Sequence, residues 1–270
     1  MEIAARRQSW MAAGGLGIGI FQETGHVTQI ATLNSEVHRL LRVDGRASAA
    51  YGDNQRFVQV IVGEFPHLLP HYPILLSKDR TTGQLICGVL LGYDERENLF
   101  LEEWRRGRAY RPLILQRAPF CAHGKELAID LDHPRVGVEA GEPLFTDSGN
   151  PTPYLESIKQ TFRYLQPGMR ATKVFVARLL ELKLIEPIDL EVELDDGSRR
   201  DGVGLYTIDK GVLAALSDAA VVELHRRGYL RLIDLMIASL GQLPLLTSRK
   251  NTTLLRDTET LAGMQPSGHA

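Results

Sequence analysis

Ile74-Leu75-Leu76-Ser77-Lys78-Asp79-Arg80-Thr81-Thr82-Gly83-Gln84-Leu85-Ile86-Cys87-Gly88-Val89-Leu90-Leu91-Gly92-Tyr93 is the stretch on which the reading of the fold turns. Ile74 to Leu76 is an apolar β-prone run, Lys78 to Gly83 is polar and closes on a glycine, and Leu85 to Tyr93 is apolar again. This is the syntax of a hairpin, since glycine accepts the positive φ that closes such a turn. The same order of signals occurs twice more. Arg111 to Phe120, the loop His123-Gly124-Lys125 and Glu126 to Leu131 form one instance; Ile188 to Leu194, the turn Asp195-Asp196-Gly197 and Gly202 to Thr207 form the other. The Asp-Gly step is the clearest short-range turn signal in the chain. Three hairpins predict an antiparallel sheet, expected as one continuous layer, with no sequence repeat behind the likeness.

Around these ribbons the pattern is helical. Thr152 is placed to cap a helix from Tyr154 to Tyr164 with Pro153 at its first position. Ala171 to Leu184 carries a wide apolar face through Val174, Phe175, Leu179 and Leu182. Asp209 caps Lys210 to Leu216, Ser217 caps Asp218 to Arg227, Gly228 ends that helix, and Tyr229 to Leu240 is the most apolar helix of all. Beyond Leu246 the pattern is a polar helix or coil. Pro66, Pro70 and Pro73 forbid a regular helix in their own segment, which is expected to be extended or turn, since each lacks an amide donor and restricts its predecessor. The predicted class is α+β: an antiparallel sheet built from about three hairpins, flanking helices and a mainly helical C-terminal part.

The 270 residues, 44% apolar and 24% charged, are enough for a substantial core. A leader or start-site extension over 1–27, a single domain over 28–250 and a frayed tail over 251–270 are the expected divisions. Arg6, Arg7 and the stretch Trp10 to Phe21 imitate an export signal, but Gly14, Gly15, Gly17 and Gly19 dilute it and no cleavage site follows. A cytoplasmic location is expected over export, and no later stretch supplies about 20 uninterrupted apolar residues for a transmembrane segment. The formal charge of −2, from 31 basic and 33 acidic residues, gives no net attraction to phosphate backbones, so nucleic acid is not an expected partner. Two cysteines form at most one bridge, and a reducing compartment is the default.

Familiar chemistry is incomplete at every candidate. His67 and His71 have helical metal spacing, but the prolines beside them and the lack of further ligands favour loop histidines over zinc. Cys87 reads as a small core residue. Cys121 lies near His123 and Lys125 without the third group a nucleophile needs. The glycine run lacks phosphate-loop spacing, and Gly-x-Ser-x-Gly does not occur. No cofactor is expected.

Two segments have binding potential. Trp104, Arg105, Arg106, Gly107, Arg108, Ala109, Tyr110 and Arg111, with Arg96 nearby, form a basic and aromatic cluster able to hold a carboxylate, a phosphate or an acidic partner segment. Stems packed over rings at an ordinary surface would give the same pattern, and Glu102 and Glu103 blunt its field. The stiff loop Glu142 to Pro153 either offers Leu144 and Phe145 to a partner or plugs them into its own core. The binding candidates are therefore Arg96, Trp104, Arg105, Arg108, Tyr110, Arg111, Leu144 and Phe145.

Taken in order, several pieces resemble the bacterial SapC family: Leu33-Asn34-Ser35-Glu36-Val37-His38-Arg39, Glu64-Phe65 with Tyr72-Pro73-Ile74, Thr82-Gly83 before Val89-Leu90-Leu91-Gly92, Glu97-Asn98-Leu99-Phe100, Trp104, Tyr110 and Pro112, Pro119-Phe120, Glu142-Pro143-Leu144-Phe145 with Gly149 and Thr152-Pro153, and Ser239-Leu240. The likeness runs from about Thr28 to about Lys250 and makes Val27 a candidate start. The family has been linked by name to surface layers and serum resistance, and an unrelated peptide-transport permease shares that name. The resemblance carries over no established catalytic residues. It implies an accessory part in nutrient uptake or modification beside a TonB-dependent receptor, a flavin-dependent halogenase-like enzyme and a cupin-like protein. A binding protein is thus the leading expectation. The rivals are an enzyme acting on an amino acid or peptide through Cys121, His123 or an arginine-bound carboxylate, and a surface-layer component.

Overall fold

The computed structural model describes residues 29–124 and 126–263; the leader, its glycine run and Gln265 to Ala270 lie outside them. The described chain falls into two compact units, residues 29–44 with 119–156, and residues 45–118 with 157–263.

The first unit holds two small antiparallel sheets. In one, β7 (Glu126–Asp130) lies between β1 (Ile30–Thr32) and β6 (Phe120–His123); in the other, β2 (Arg42–Val43) lies between β8 (Val136–Gly137) and β9 (Glu142–Pro143). The β6–β7 turn closes on Gly124 at φ 62°, the left-handed conformation glycine adopts without strain. Val43, Phe120, Ala128, Ile129, Leu144 and Leu155 are buried, and so is Arg135, whose Nη1 donates to the Asp44 carbonyl at 2.8 Å.

The second unit is built on a five-stranded antiparallel sheet in the order β10 (Ile185–Pro187), β13 (Leu205–Ile208), β4 (Ile74–Lys78), β5 (Leu85–Leu90), β3 (Phe57–Gln59). The opening hairpin forms as its syntax demands, in register from Ile74 opposite Val89 to Lys78 opposite Leu85, with Gly83 at φ 67°. Ile74, Leu75 and Leu76 are consecutive yet all buried, so both faces of β4 are covered. Helix α7 (Tyr229–Ser239) packs on β4 and β13, with α1 (Phe65–Leu68) against α7, and the Ser239 hydroxyl accepts from the Ile74 amide at 2.8 Å.

The α+β class with antiparallel pairing and a helical C-terminal part holds, but the single continuous layer does not: among the described residues the strands are divided among four sheets. Arg111 to Phe120 is no strand. Pro112 opens the short helix α3 (Leu113–Gln116), and pairing starts only at Phe120. Around the Asp196-Gly197 turn the ribbon is the charged pair β11 (Glu191–Glu193) and β12 (Arg199–Asp201), because β13 is taken up by β10 and β4. Pro66 does not exclude helix, since at the first turn of α1 its missing amide has no intrahelical acceptor.

The two helices expected between Tyr154 and Leu184 are one, α4 (Pro153–Glu181), with Pro167 inside. Leu155, Ile158, Thr161, Leu165, Thr172, Phe175, Val176 and Leu179 make one buried stripe, and burying it outweighs the roughly 3 kcal/mol that an interior proline costs. At Gly168 a side chain would meet Ile61 Cδ1 at 2.3 Å, and Thr172 Oγ1 accepts from the Val62 amide at 2.9 Å.

The remaining helices are α2 (Leu101–Arg105), α5 (Lys210–Ala214), α6 (Asp218–Arg226) and α8 (Leu243–Gly263), so helix extends through 251–263, assigned by sequence to the tail. By length and composition alone the helical run Tyr229–Thr258 could cross a membrane. Arg231 and Asp234 interrupt its apolar surface, while Ile233 and Met236 are fully buried.

Candidate functional site

Helix α2 stops at Gly107, whose φ of 64° turns the chain, and the Arg108 amide donates to the Glu103 carbonyl at 2.8 Å. From this corner the basic and aromatic cluster divides. Trp104, Tyr110 and Arg111 turn inward and are buried or half-buried, whereas Arg96, Arg105, Arg106 and Arg108 are exposed.

The inward members form a hydrogen-bonded chain. Trp104 Nε1 donates to the Tyr72 hydroxyl at 2.7 Å, and Tyr72 donates to the Tyr110 carbonyl at 2.6 Å. The Tyr110 hydroxyl donates to Glu64 Oε1 at 3.2 Å; the Leu113 amide reaches the same oxygen at 2.8 Å, and the Ile61 amide reaches Oε2 at 3.0 Å. Burial raises the Glu64 pKa above the usual carboxylate value, although the three donors and nearby His67 pull the other way. Tyr72 and Tyr110 are both raised, each first by burial and Tyr110 next by the Glu64 charge.

At the surface of this network His67 stacks on Tyr110 with ring centroids 5.3 Å apart. His71 tilts against Tyr72 at 5.6 Å, and its pKa is lowered first by burial and then by the charge of Arg249. The Arg249 guanidinium lies 4.6 Å from the centre of the Phe100 ring, and Phe100 meets Tyr72 edge-on at 4.7 Å.

Arg111 is committed to structure. It pairs with Asp53 at 3.0 Å and donates to the carbonyls of Gly45 and Leu115 at 2.9 and 3.1 Å. Arg105 donates to the Ala47 carbonyl at 2.8 Å and shares Glu102 with Arg106. Leu144 and Phe145 belong to the first unit: Leu144 is fully buried there and Phe145 is half-buried, bridged to Pro151. Cys121 and His123 are in that unit too, on β6. Cys87 is fully buried and its thiol is pushed up to about 12 by burial.

Among the described residues no group of three histidine, cysteine or acidic side chains is placed to hold a metal ion. A cavity of about 480 Å³ lies by the β11–β12 ribbon, lined by Asp189, Glu191, Asp201, Val203 and Tyr206 among others.

Sequence reasoning did not assign Glu64, Tyr72, His67, His71 or Arg249 to the cluster around Trp104. The Glu64-Phe65 and Tyr72-Pro73 pieces were signals for two of them; Arg249 had none, because it reaches the site from the far end of the chain.

The fold and network together define a mixed α and β protein whose buried aromatic and carboxylate cluster supports an arginine-rich corner. A model of the SapC family matches residues 33–246, and the chain belongs to that family. No curated protein and no solved structure matches it.

Proposed function

We propose that this SapC-family chain is a non-catalytic accessory protein that binds an acidic segment of a partner through the corner carrying Arg105, Arg106 and Arg108. The supporting observation is that the polar groups beneath the corner are joined to one another. Trp104, Tyr72, Tyr110 and Glu64 form a continuous chain of bonds that also fixes the Leu113 and Ile61 amides. Such a network stiffens the segment it carries, and a stiff display reduces the entropy lost on binding. Planar guanidinium groups then offer paired donors to carboxylates. The proposed partners are a halogenase-like flavoprotein or a cupin-like protein, and the proposed location is the cytoplasm.

Co-expression with each of these proteins, followed by purification on a tag carried by the partner, tests the reading. A stable pair that survives washing and is lost with Arg105→Glu and Arg108→Glu is the expected result. Turnover of an amino acid or peptide by the purified chain alone, abolished by Glu64→Gln, would overturn it in favour of an enzyme using the buried carboxyl beside His67.

A further inference from the structure

Helix α8 is seated differently from α7. Of its described side chains only Leu246 and Lys250 are buried, whereas α7 buries Ile233, Met236 and Ser239 within little more than half the length. Lys250 Nζ donates to Asp94 Oδ2 at 2.7 Å and to Glu97 Oε1 at 2.6 Å, with only 6% of its side chain exposed. Asp94 also accepts from Arg200 Nε at 2.9 Å, and the second oxygen of Glu97 accepts from the Tyr93 amide at 2.7 Å.

The neighbouring contacts are polar as well. Arg249 covers Phe100 and lies 3.7 Å from Glu103, the Thr247 and Tyr93 hydroxyls meet at 2.8 Å, and Asn251 Oδ1 accepts from the Asp195 amide at 3.2 Å. The charged and titratable groups around the seat are thus Asp94, Glu97, Glu103, Arg200, Arg249, Lys250, His71 and the Tyr93 hydroxyl.

A buried ammonium between two carboxylates holds strongly while all three are charged. Removing the Lys250 charge leaves Glu97, only 14% exposed, without its counter-charge, whereas Asp94, 47% exposed, keeps Arg200; the cost falls on the buried Glu97 carboxylate. A helix anchored in this way responds as a unit to the loss of a single charge. Its apolar hold is modest for 21 residues: Leu246 is buried and Leu243 packs half-buried against the core.

We infer that α8 is an ionic latch: Lys250, seated between Asp94 and Glu97, holds the helix, and loss of that seat frees α8 while the five-stranded sheet stays folded. Release uncovers the Phe100 ring and the edge of Tyr72 behind it, so the latch governs access to the aromatic network. This behaviour belongs to the chain alone and needs no partner.

Hydrogen exchange followed by mass spectrometry on the full chain tests it. Lys250→Met keeps the stem and removes the charge. It should speed exchange across 243–258 by about tenfold or more, as expected for a local opening, while 74–78 and 85–90 keep their protection. Leu246→Ala should speed it less, and Asp94→Asn, which leaves Glu97 in place, should give a smaller change of the same kind as Lys250→Met and serves if that variant does not fold. Unchanged protection of α8, opening only together with the strands, or a larger effect from Leu246→Ala would each overturn the latch.

Discussion

Trp104 and Tyr72 are joined by a 2.7 Å hydrogen bond from the indole Nε1 to the phenol oxygen, and the same phenol donates onward to the Tyr110 carbonyl at 2.6 Å. One hydroxyl therefore satisfies a donor and an acceptor on two sides of the corner. Tyr72→Phe orphans both. Each buried unpaired polar group costs about 1–3 kcal/mol, so the variant should lose roughly 3 kcal/mol of unfolding free energy. Urea denaturation checks this. A loss below about 0.5 kcal/mol would mean that the chain of bonds does not hold the corner.

Glu64 makes two separable predictions. Glu64→Ala strands the Ile61 and Leu113 amides and the Tyr110 hydroxyl, and should cost about 3 kcal/mol or more. The pH dependence follows from the raised folded-state pKa. The folded state binds this proton more tightly than the unfolded one, so the contribution is greatest below the ordinary glutamate range. It declines as pH rises through the folded value. Glu64→Gln should remove that decline, which comparison of the two stability profiles from acid to neutral pH would reveal.

Gly88 and Gly83 should respond differently to alanine. At Gly88 a side chain would lie 2.2 Å from Phe57 Cε1 and 2.7 Å from the Val58 carbonyl oxygen, so β3 and β5 cannot both keep their places. At Gly83 no atom lies within 4 Å, and only the positive φ of 67° is strained. Gly83→Ala should cost about 1 kcal/mol, and Gly88→Ala several times that or solubility itself. Thermal melts of the two variants decide it.

The parts of the fold legible in sequence are those set by neighbouring residues. Gly83, Gly124 and Gly197 close turns because φ > 0 is a local demand, and Asp209 and Ser217 cap helices through their own side chains. Where distant groups decide, reading along the chain fails. Arg111 looked like a surface cation because Asp53 is far from it in sequence, and Leu113 looked like strand because the carboxylate that receives its amide is Glu64. The separation of the sheets was invisible for the same reason, since the choice of β4 and β10 as partners for β13 is tertiary. Inside α4, the local helix-breaking tendency of Pro167 is overridden by the longer buried stripe.

Cys87 and Cys121 are both thiols, and their environments predict unequal reactivity. The Cys87 thiol, fully buried and pushed up to about 12, holds almost no thiolate at neutral pH, whereas Cys121 is half-buried on β6. Treatment of the native chain with a thiol-specific aromatic disulfide should modify Cys121 alone, and denaturant should release the second. Modification of Cys87 at the rate of a free thiol would contradict the packing of β5.

The Arg111 and Asp53 pair offers the sharpest test of whether the cluster's arginines are structural or functional. Asp53 is almost wholly buried and accepts from the Ser48 amide at 2.9 Å as well as from Arg111, while Arg111 reaches two backbone carbonyls besides. A lysine has one nitrogen and cannot reach Asp53, Gly45 and Leu115 together, so Arg111→Lys should be clearly destabilising despite keeping its charge. Asp53→Asn leaves the guanidinium without its counter-charge and should cost about 3–5 kcal/mol. The double variant should be less unstable than the two losses summed, because both remove the same interaction. The corner's binding should fall only in proportion to the unfolded fraction, whereas Arg108→Glu should abolish binding with the melting temperature unchanged.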